Sequence, residues 1–137
     1  MLDFLKGKTR VIVDTNFLFI PGELGLDIFS EINRIVNEPH EICVVDKTFE
    51  ELEGIIAKSS SKESFNAKLG FIMAKQKSLK TLSSSKGLYA DKAILEAARN
   101  DPARTIVATQ DAGLRKELKR LSVRIITLRQ KKYLELG

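Results

Sequence analysis

The sequence predicts an α/β protein, with three α/β/α layers and a central parallel sheet of four or five strands. Short apolar runs alternate along the chain with segments of helical periodicity, a pattern typical of a parallel sheet covered by helices. Polar residues directly follow several of the runs, at the carboxyl ends of the predicted strands, where open α/β sheets hold their functional sites. A length of 137 residues suits one domain, which we expect to span 1–137.

Each predicted element has its own signal in the sequence. Apolar runs rich in β-branched residues predict strands, namely 10–14, 42–45, 104–108 and 123–128. Apolar residues that recur on one helical face predict helices, namely 24–37, 47–57, 63–77, 90–99 and 112–121. Two serine-rich stretches, 58–64 and 81–87, fit helix caps and loops. The alternative interpretation of these stretches is a pair of mobile basic loops that flank a groove for a polyanion.

Composition limits the classes of function. The net charge of +5 and the pI of about 9.4 favour a polyanionic partner such as nucleic acid, although many basic proteins bind none. A single cysteine, Cys43, and a single histidine exclude an internal disulfide and a zinc site. We expect Cys43 to be a small buried hydrophobic residue. The N-terminus lacks the apolar run of a signal peptide, and no stretch is long enough to span a membrane, so the expected compartment is the cytoplasm.

Three aspartates occupy positions that solvation does not explain. Asp14 directly follows the strand run VIV, and Asp111 lies two residues beyond the run TIVAT. Asp91 falls within the apolar face of its predicted helix, where an unpaired carboxylate is costly unless a cation binds it. Aspartate is also a preferred helix N-cap, so a capping role is the alternative for each of the three.

The second predicted helix contributes three glutamates. Glu50 lies opposite the apolar face and is expected in solvent. Glu51 and Glu53 both flank the apolar face, and periodicity does not distinguish between them. Asp46, directly after the second strand, is the expected N-cap of this helix, with Glu50 near the first turn supporting it.

Acids that follow several strands of one sheet converge on one rim of that sheet. Their mutual repulsion calls for cations, and oxygen ligands without histidine or cysteine select Mg²⁺ or Mn²⁺. Such a site uses a metal-bound water as its nucleophile and stabilises charge on a phosphoryl oxygen. Because a basic surface also holds a nucleic-acid backbone, the combination has the profile of a nuclease.

Four motifs of the chain resemble the PIN-domain ribonucleases. They occur in the order and context of that family and span positions 11 to 118, namely VIVDTNFL, FEELEG, GLYADKAIL and IVATQDAGLRKEL. The resemblance implies a PIN-like fold and a metal-dependent endoribonuclease that cleaves single-stranded RNA. It also implies one or two Mg²⁺ or Mn²⁺ ions as cofactors.

The resemblance also implies individual site residues. The catalytic and metal-binding acids are then Asp14, Glu51, Asp91 and Asp111. This set prefers Glu51 to Glu53. Asn16 and Thr109 match the polar residues that orient the first and last acids. Many relatives have an additional acid where this chain has Lys92 and Gly113, and each missing acid weakens the binding of a second metal.

The C-terminal half resembles a narrower group of PIN nucleases. The sequence from GLYADKAIL to the closing RQKKYLEL is similar to the nucleases of ribosomal RNA processing, which include the eukaryotic small-subunit processome nuclease and its archaeal relatives. This resemblance implies precursor ribosomal RNA as the partner, and a homodimer, because PIN domains often dimerise. The VapC toxins share the fold and the acids but usually lack this ending. In that alternative the protein partner is an antitoxin.

Basic and aromatic residues near the motifs are candidates for RNA contact. Lys86 and Arg115 each lie close in sequence to a motif acid and are the candidates for binding RNA phosphates. Most other lysines and arginines are expected on solvated faces. Tyr89 and Tyr133 have two interpretations, base stacking and packing, of which packing is preferred.

Two further functions fit parts of the pattern. A catalytically weak RNA-binding or ribosome-assembly factor with the same fold is suggested by the missing extra acids and the basic surface. A phosphoryl-accepting receiver-like domain is suggested by Asp14 and Asp46 after consecutive strands and Thr109 after another. It ranks low, because paired acids after the first strand and a lysine after the last are not evident. Nucleotide-binding glycine signatures are also missing.

Overall fold

A computed structural model describes residues 7–58 and 61–137. The strands are β1 (Thr9–Val13), β2 (His40–Val45), β3 (Lys80–Leu82), β4 (Thr105–Ala108), β5 (Arg124–Arg129) and β6 (Tyr133–Leu136). The helices are α1 (Ile20–Leu24), α2 (Ile28–Ile35), α3 (Asp46–Lys58), α4 (Lys62–Gln76), α5 (Ala90–Asn100) and α6 (Ala112–Arg120), with 3-10 helices at Thr15–Phe19 and Pro102–Arg104.

The six strands form one sheet in the order β3-β2-β1-β4-β5-β6. The first five strands of this order run parallel, and β6 pairs antiparallel with β5. Helices cover both faces of the sheet, which confirms the predicted three-layer α/β/α fold. The central position of β1, with β2 and β4 on either side, creates a topological switch point at its carboxyl end.

Alternate residues of each central strand enter different cores, as expected for strands that are covered on both faces. Val11 and Val13 of β1 pack against the 3-10 helix that follows β1 and against α1 to α4, whereas Ile12 packs against α5 and α6. Cys43 is fully buried in the second core, as predicted, and burial raises the pKa of its thiol to about 11.

The helix predicted over 24–37 is confirmed over Ile28–Ile35, but its predicted start is wrong, because Leu24 is the last residue of α1. Gly25 ends α1 in the left-handed conformation, at φ 68°, and its N–H donates to the carbonyl of Pro21 at 2.8 Å. Asp27 then caps α2 by accepting the N–H groups of Phe29 and Ser30. Glycine after a helix and aspartate before the next one are the usual termination and start signals, which the apolar spacing concealed.

The two strands that the sequence analysis missed lie at the edges of the sheet. β3 has three residues, of which only Leu82 is buried, and β6 alternates between exposed and covered positions. The serines of the two serine-rich stretches cap a helix and hold a loop. Ser61 caps α4, and the hydroxyls of Ser84 and Ser85 donate to the carboxylates of α3 and α5.

Gly70 marks the closest approach between α4 and the 3-10 helix. A Cβ atom at this position would lie 2.2 Å from the carbonyl oxygen of Leu18, a backbone atom that cannot move aside alone. We expect Gly70→Ala to destabilise the fold by about 3 kcal/mol. Gly54 of α3 is the matched control: nothing lies within 4 Å of its Cβ position, so Gly54→Ala should stabilise by about 0.5–1 kcal/mol. Urea denaturation of both variants measures the difference, and equal midpoints would contradict it.

No helix in the described part of the chain has the length and apolar character needed to cross a membrane.

Candidate active site

The candidate site lies at the carboxyl ends of the two central strands. β1 is followed immediately by Asp14, and the Asp14 N–H donates to the carbonyl of Ala108, the last residue of β4, at 3.0 Å. Thr109 and Asp111 follow β4 before α6 begins. The parallel pairing of β1 with β4 therefore brings residues that are about 95 positions apart in the sequence to one rim.

Asp14 is buried, with 7% of its surface exposed. Its Oδ1 accepts the N–H of Thr15 at 2.8 Å, and its Oδ2 accepts the hydroxyl of Thr109 at 2.7 Å. Burial raises the pKa of the Asp14 carboxyl, and the two hydrogen bonds partly oppose this rise. The charges of Asp111 and Glu51 raise the same pKa further. Asp111 and Glu51, two of the other predicted acids, are therefore both close enough to repel the Asp14 carboxylate.

Thr109 connects Asp14 to Asp111. Its side chain is fully buried; the hydroxyl donates to Asp14 and accepts the backbone N–H of Asp111 at 3.1 Å. Asp111 is the exposed N-cap of α6, and its Oδ1 accepts the N–H of Leu114 at 2.8 Å. Capping occupies one carboxylate oxygen, so Asp111 retains the other for a ligand. A Cβ atom at Gly113 would lie 3.3 Å from Oδ1, so any larger residue there would press on the cap.

Glu51 connects α3 to the start of α5. The side chain is half-buried, and its Oε2 accepts the N–H of Ala90, the first residue of α5, at 3.0 Å. Glu53 is exposed, and Glu50 is exposed and lies 3.9 Å from Lys47 as an ion pair. The structure therefore distinguishes the two glutamates that periodicity left equivalent, and it places Glu50 in solvent as predicted.

Asp91 does not lie in the buried face of its helix, and the prediction that it does is wrong. The side chain is exposed, and its Oδ1 accepts the adjacent N–H of Lys92 at 2.9 Å. Asp91 lies on the same face of α5 as the buried Leu95, which follows one turn later. Asp91 itself is in the first turn of the helix and stays exposed. The N-cap is Tyr89, so the capping alternative is wrong too. Asp91 directly follows Ala90, the residue whose N–H donates to Glu51.

Comparison with known proteins identifies the family. Residues 11–131 match the family model described as a PIN like domain. The chain belongs to the PIN-like domain family. Ribonuclease VapC4 of Methanocaldococcus jannaschii is 32% identical to it over 127 residues, which cover 93% of this chain and 95% of the relative. The family that the four motifs predicted is therefore confirmed.

Two solved structures share the fold of this PIN-like domain. The PIN domain endonuclease Utp24 superimposes with a TM-score of 0.75 at 22% identity, over 93% of this chain and 90% of the other. A domain of a functionally unknown protein from Methanocaldococcus jannaschii gives a TM-score of 0.54 at 16% identity, over 88% and 91% of the two chains. At these identities the likeness concerns the fold alone.

The acids of this PIN-like domain offer the kind of ligand atoms that a hard divalent cation prefers. They supply oxygen ligands only. Burial first, and then the charges of Asp111 and Glu51, raise the pKa of Asp14, so a cation would stabilise its charged form. As placed, no three Asp, Glu, His or Cys side chains within residues 7–58 and 61–137 form a ready metal cluster. Mg²⁺ is usually bound through one or two carboxylates, with waters completing its shell. Asp14 and Asp111, joined through Thr109, could hold an ion in that way.

The other predicted contacts lie around this rim of the PIN-like domain. Asn16 is exposed in the 3-10 helix after β1, and its side chain has no hydrogen bond to an acid in the described structure. Lys86 is exposed in the loop before α5. Arg115 lies one turn beyond Asp111, and its Nε is a buried donor without a protein hydrogen-bond partner among the described residues. Sequence reasoning missed Lys47, which lines a cleft beside Glu51.

The two tyrosines differ in exposure. Tyr133 is 38% exposed, whereas Tyr89 is 79% exposed and lines the same cleft as Lys47 and Glu51. The preferred packing interpretation is therefore wrong for Tyr89. Its position directly before a helix that begins at Ala90 is the signal that could have indicated exposure, because a cap residue lies outside the packed helix.

Thr109→Val tests the link between Asp14 and Asp111. Valine keeps the shape of threonine but removes a donor to Asp14 and an acceptor for the Asp111 N–H, so we expect a loss of about 1–3 kcal/mol in stability. The pKa of Asp14 should rise further, because one of the bonds that opposes the effect of burial is lost. Urea denaturation measures the stability. Thr109→Ser, which keeps the hydroxyl, is the control; valine and serine variants of equal stability would contradict the role of the link.

Proposed function

We propose that this PIN-like domain is a metal-dependent endoribonuclease that cleaves single-stranded RNA. The observation that carries the proposal is the buried Asp14 carboxylate, which is held by Thr109 beside Asp111 and is electrostatically coupled to Glu51. Burying a carboxylate next to other carboxylates opposes folding and has a clear purpose if a cation binds there. The relative named Ribonuclease VapC4 and the fold of a PIN domain endonuclease are consistent with this activity.

Four acids form the proposed site as two pairs. Asp14 and Asp111 are joined through Thr109, while Glu51 accepts the N–H of Ala90 and Asp91 is the next residue of α5. Bound Mg²⁺ or Mn²⁺ would supply an activated water as nucleophile and would neutralise charge on the phosphate. The protein fixes the acids in advance, which reduces the reorganisation needed when the ligand arrives. Both oxygens of Asp14 accept hydrogen bonds from backbone or hydroxyl groups, and Glu51, Asp91 and Asp111 each use one oxygen in this way. We propose that one ion binds to Asp14 and Asp111 and that a second ion binds near Glu51 and Asp91.

The RNA backbone is proposed to lie across the rim between the two pairs. Arg115 is the candidate on one side, because it is partly exposed and lies one turn from Asp111. Lys86 is exposed in the loop that leads to α5 on the other side. Both cations would bind phosphates, and their contribution would fall as the salt concentration rises.

A cleavage assay tests this function. The purified chain is incubated with 5′-labelled single-stranded RNAs of several sequences, in Mn²⁺, in Mg²⁺ and in EDTA. Internal cleavage that requires the metal is expected. RNAs that bind but stay intact in both metals would favour the alternative of a PIN-fold assembly factor without catalysis, and would contradict the enzyme.

The biological role has two candidates, each with its own support. Similarity over 127 residues to Ribonuclease VapC4 favours a toxin whose partner is an antitoxin. The closing RQKKYLEL, which forms the end of β5, the turn and β6, favours the processing of precursor ribosomal RNA. Inducible expression in a bacterium separates them. A toxin should arrest growth unless Asp14 is replaced, whereas a processing nuclease should not. The homodimer also stays a prediction, and sedimentation analysis tests it.

A further inference from the structure

Tyr89 is the most exposed of the large hydrophobic residues in the described structure. It is 79% exposed, whereas the rings of Phe17 and Phe29 are 1% exposed. A tyrosine ring at this exposure contributes little to the hydrophobic stability of the fold, because its area stays in water. A single exposed aromatic residue has no meaning by itself. Its surroundings decide whether it serves a ligand.

The ring of Tyr89 borders a cleft that includes a proposed site acid. The cleft has a volume of about 450 Å³ and is lined by Lys47, Glu50, Glu51, Gly87, Leu88 and Tyr89. It therefore offers an aromatic face, a cation and the Glu51 carboxylate within one open concavity. The aromatic face is the part of this lining that suits a nucleotide, since a base has a flat face that can stack on it.

The backbone of Tyr89 is fixed relative to Glu51. The Tyr89 carbonyl accepts the N–H of Ala93 at 3.0 Å, and the next N–H, that of Ala90, donates to Glu51 at 3.0 Å. Gly87, at φ 80°, allows the turn that leads to this point. Since the peptide between Tyr89 and Ala90 is held at both its carbonyl and its N–H, stacking on the ring would order mainly its two side-chain torsions.

We propose that Tyr89 is a stacking platform for one unpaired base of the RNA, next to the phosphate that is cleaved. This inference rests on the proposed function and adds a reason for single-strand selectivity. In a duplex every base is already stacked and paired, so none can lie on Tyr89 without disrupting the helix. Lys47 lies in the same cleft, where its ammonium group is 3.9 Å from the Glu50 carboxylate.

The tyrosine fluorescence of the chain measures this stacking without requiring cleavage. The sequence has no tryptophan and two tyrosines, so Tyr133→Phe leaves Tyr89 as the single tyrosine. The probe is a 12-nucleotide oligoadenylate in EDTA, with its binding followed independently by the anisotropy of a labelled copy. Stacking should quench the Tyr89 emission in proportion to the bound fraction. Inorganic polyphosphate, which has the charge but no bases, should compete for the basic surface without quenching.

Variants of Tyr89 complete the test. Tyr89→Ala should weaken oligoadenylate binding about tenfold, which is the usual contribution of one stacked base, and Tyr89→Phe should bind like the wild type. Polyphosphate affinity should be the same in all three proteins. Oligoadenylate that binds without quenching, or binds Tyr89→Ala as tightly as wild type, would overturn the stacking platform and leave the nuclease proposal intact. Oligoadenylate that fails to bind would also overturn the stacking platform, whereas the nuclease proposal is tested by the cleavage assay in Mn²⁺ and Mg²⁺.

Discussion

Asp14→Asn should reduce metal-dependent RNA cleavage by roughly a thousandfold or more while leaving the fold intact. The metal contributes several kcal/mol to transition-state stabilisation, and each 1.4 kcal/mol corresponds to a tenfold change in rate. Asparagine keeps an oxygen that can accept the N–H of Thr15, and its amide can donate to the hydroxyl of Thr109, so the packing of the site should persist. Initial cleavage rates in Mn²⁺ measure the effect.

The same substitution should stabilise the metal-free protein at neutral pH. Because burial raises the pKa of Asp14 in the folded state above its value in the unfolded chain, the folded state binds the proton more tightly. The charged carboxylate therefore opposes folding. The protonated carboxyl favours the folded state below pH 3.8, and this stabilisation is lost as the pH rises through the folded pKa. Asparagine lacks this charge. Urea denaturation in EDTA should show the variant more stable at pH 7, with the difference disappearing as the pH falls below about 4.

Two outcomes would contradict this account of Asp14. A variant that cleaves RNA like the wild type would remove Asp14 from the catalytic site. A variant that is inactive and also much less stable than the wild type at pH 7 would show that Asp14 serves the fold, since the loss of activity would then follow from unfolding.

Glu51→Gln should lower cleavage by roughly a hundredfold, and Glu53→Gln should leave it unchanged. Glutamine at position 51 retains the oxygen that accepts the N–H of Ala90, so the start of α5 stays anchored while the charge near the proposed metal is lost. Glu53 is the control, because it lies on the same helix but is exposed, whereas Glu51 is half-buried. The two variants change the net charge equally. Their cleavage rates and urea midpoints, measured side by side, separate a local effect from a general one.

Two results for these glutamine variants would contradict a catalytic role of Glu51. If both lower the cleavage rate to the same extent, the effect comes from the net charge of α3. If neither does, Glu51 is a structural cap for α5 and does not belong to the catalytic set.

Most of the fold could be predicted from periodicity, because the central elements are buried on defined faces. β1, β2, β4 and β5 and the helices from α3 onward lie within a few residues of their predicted positions. The exceptions follow from weak hydrophobic signals. β3 and β6 are edge strands with exposed residues, and the apolar stripe of 24–37 continues across Gly25, which breaks the helix.

The site was only partly predictable, since its contacts join distant parts of the chain. Nothing local indicates that Thr109 lies between Asp14 and Asp111, a contact made by the parallel pairing of β1 and β4. The resemblance chose Glu51 over Glu53, and the bond from Ala90 gives that choice a structural basis. Helical periodicity placed Asp91 in the core because it treats a first turn like any other, although the start of a helix can extend beyond the packed layer.

The most direct test of the proposed metal site is a crystal structure of the chain soaked in Mn²⁺, with anomalous diffraction to locate the ions. We expect one anomalous peak coordinated by Asp14, Asp111 and waters and a second peak near Glu51 and Asp91, and we expect the first peak to be lost in Asp14→Asn. Fully soaked crystals without a peak at this rim, from protein that cleaves RNA in the same Mn²⁺ buffer, would contradict it.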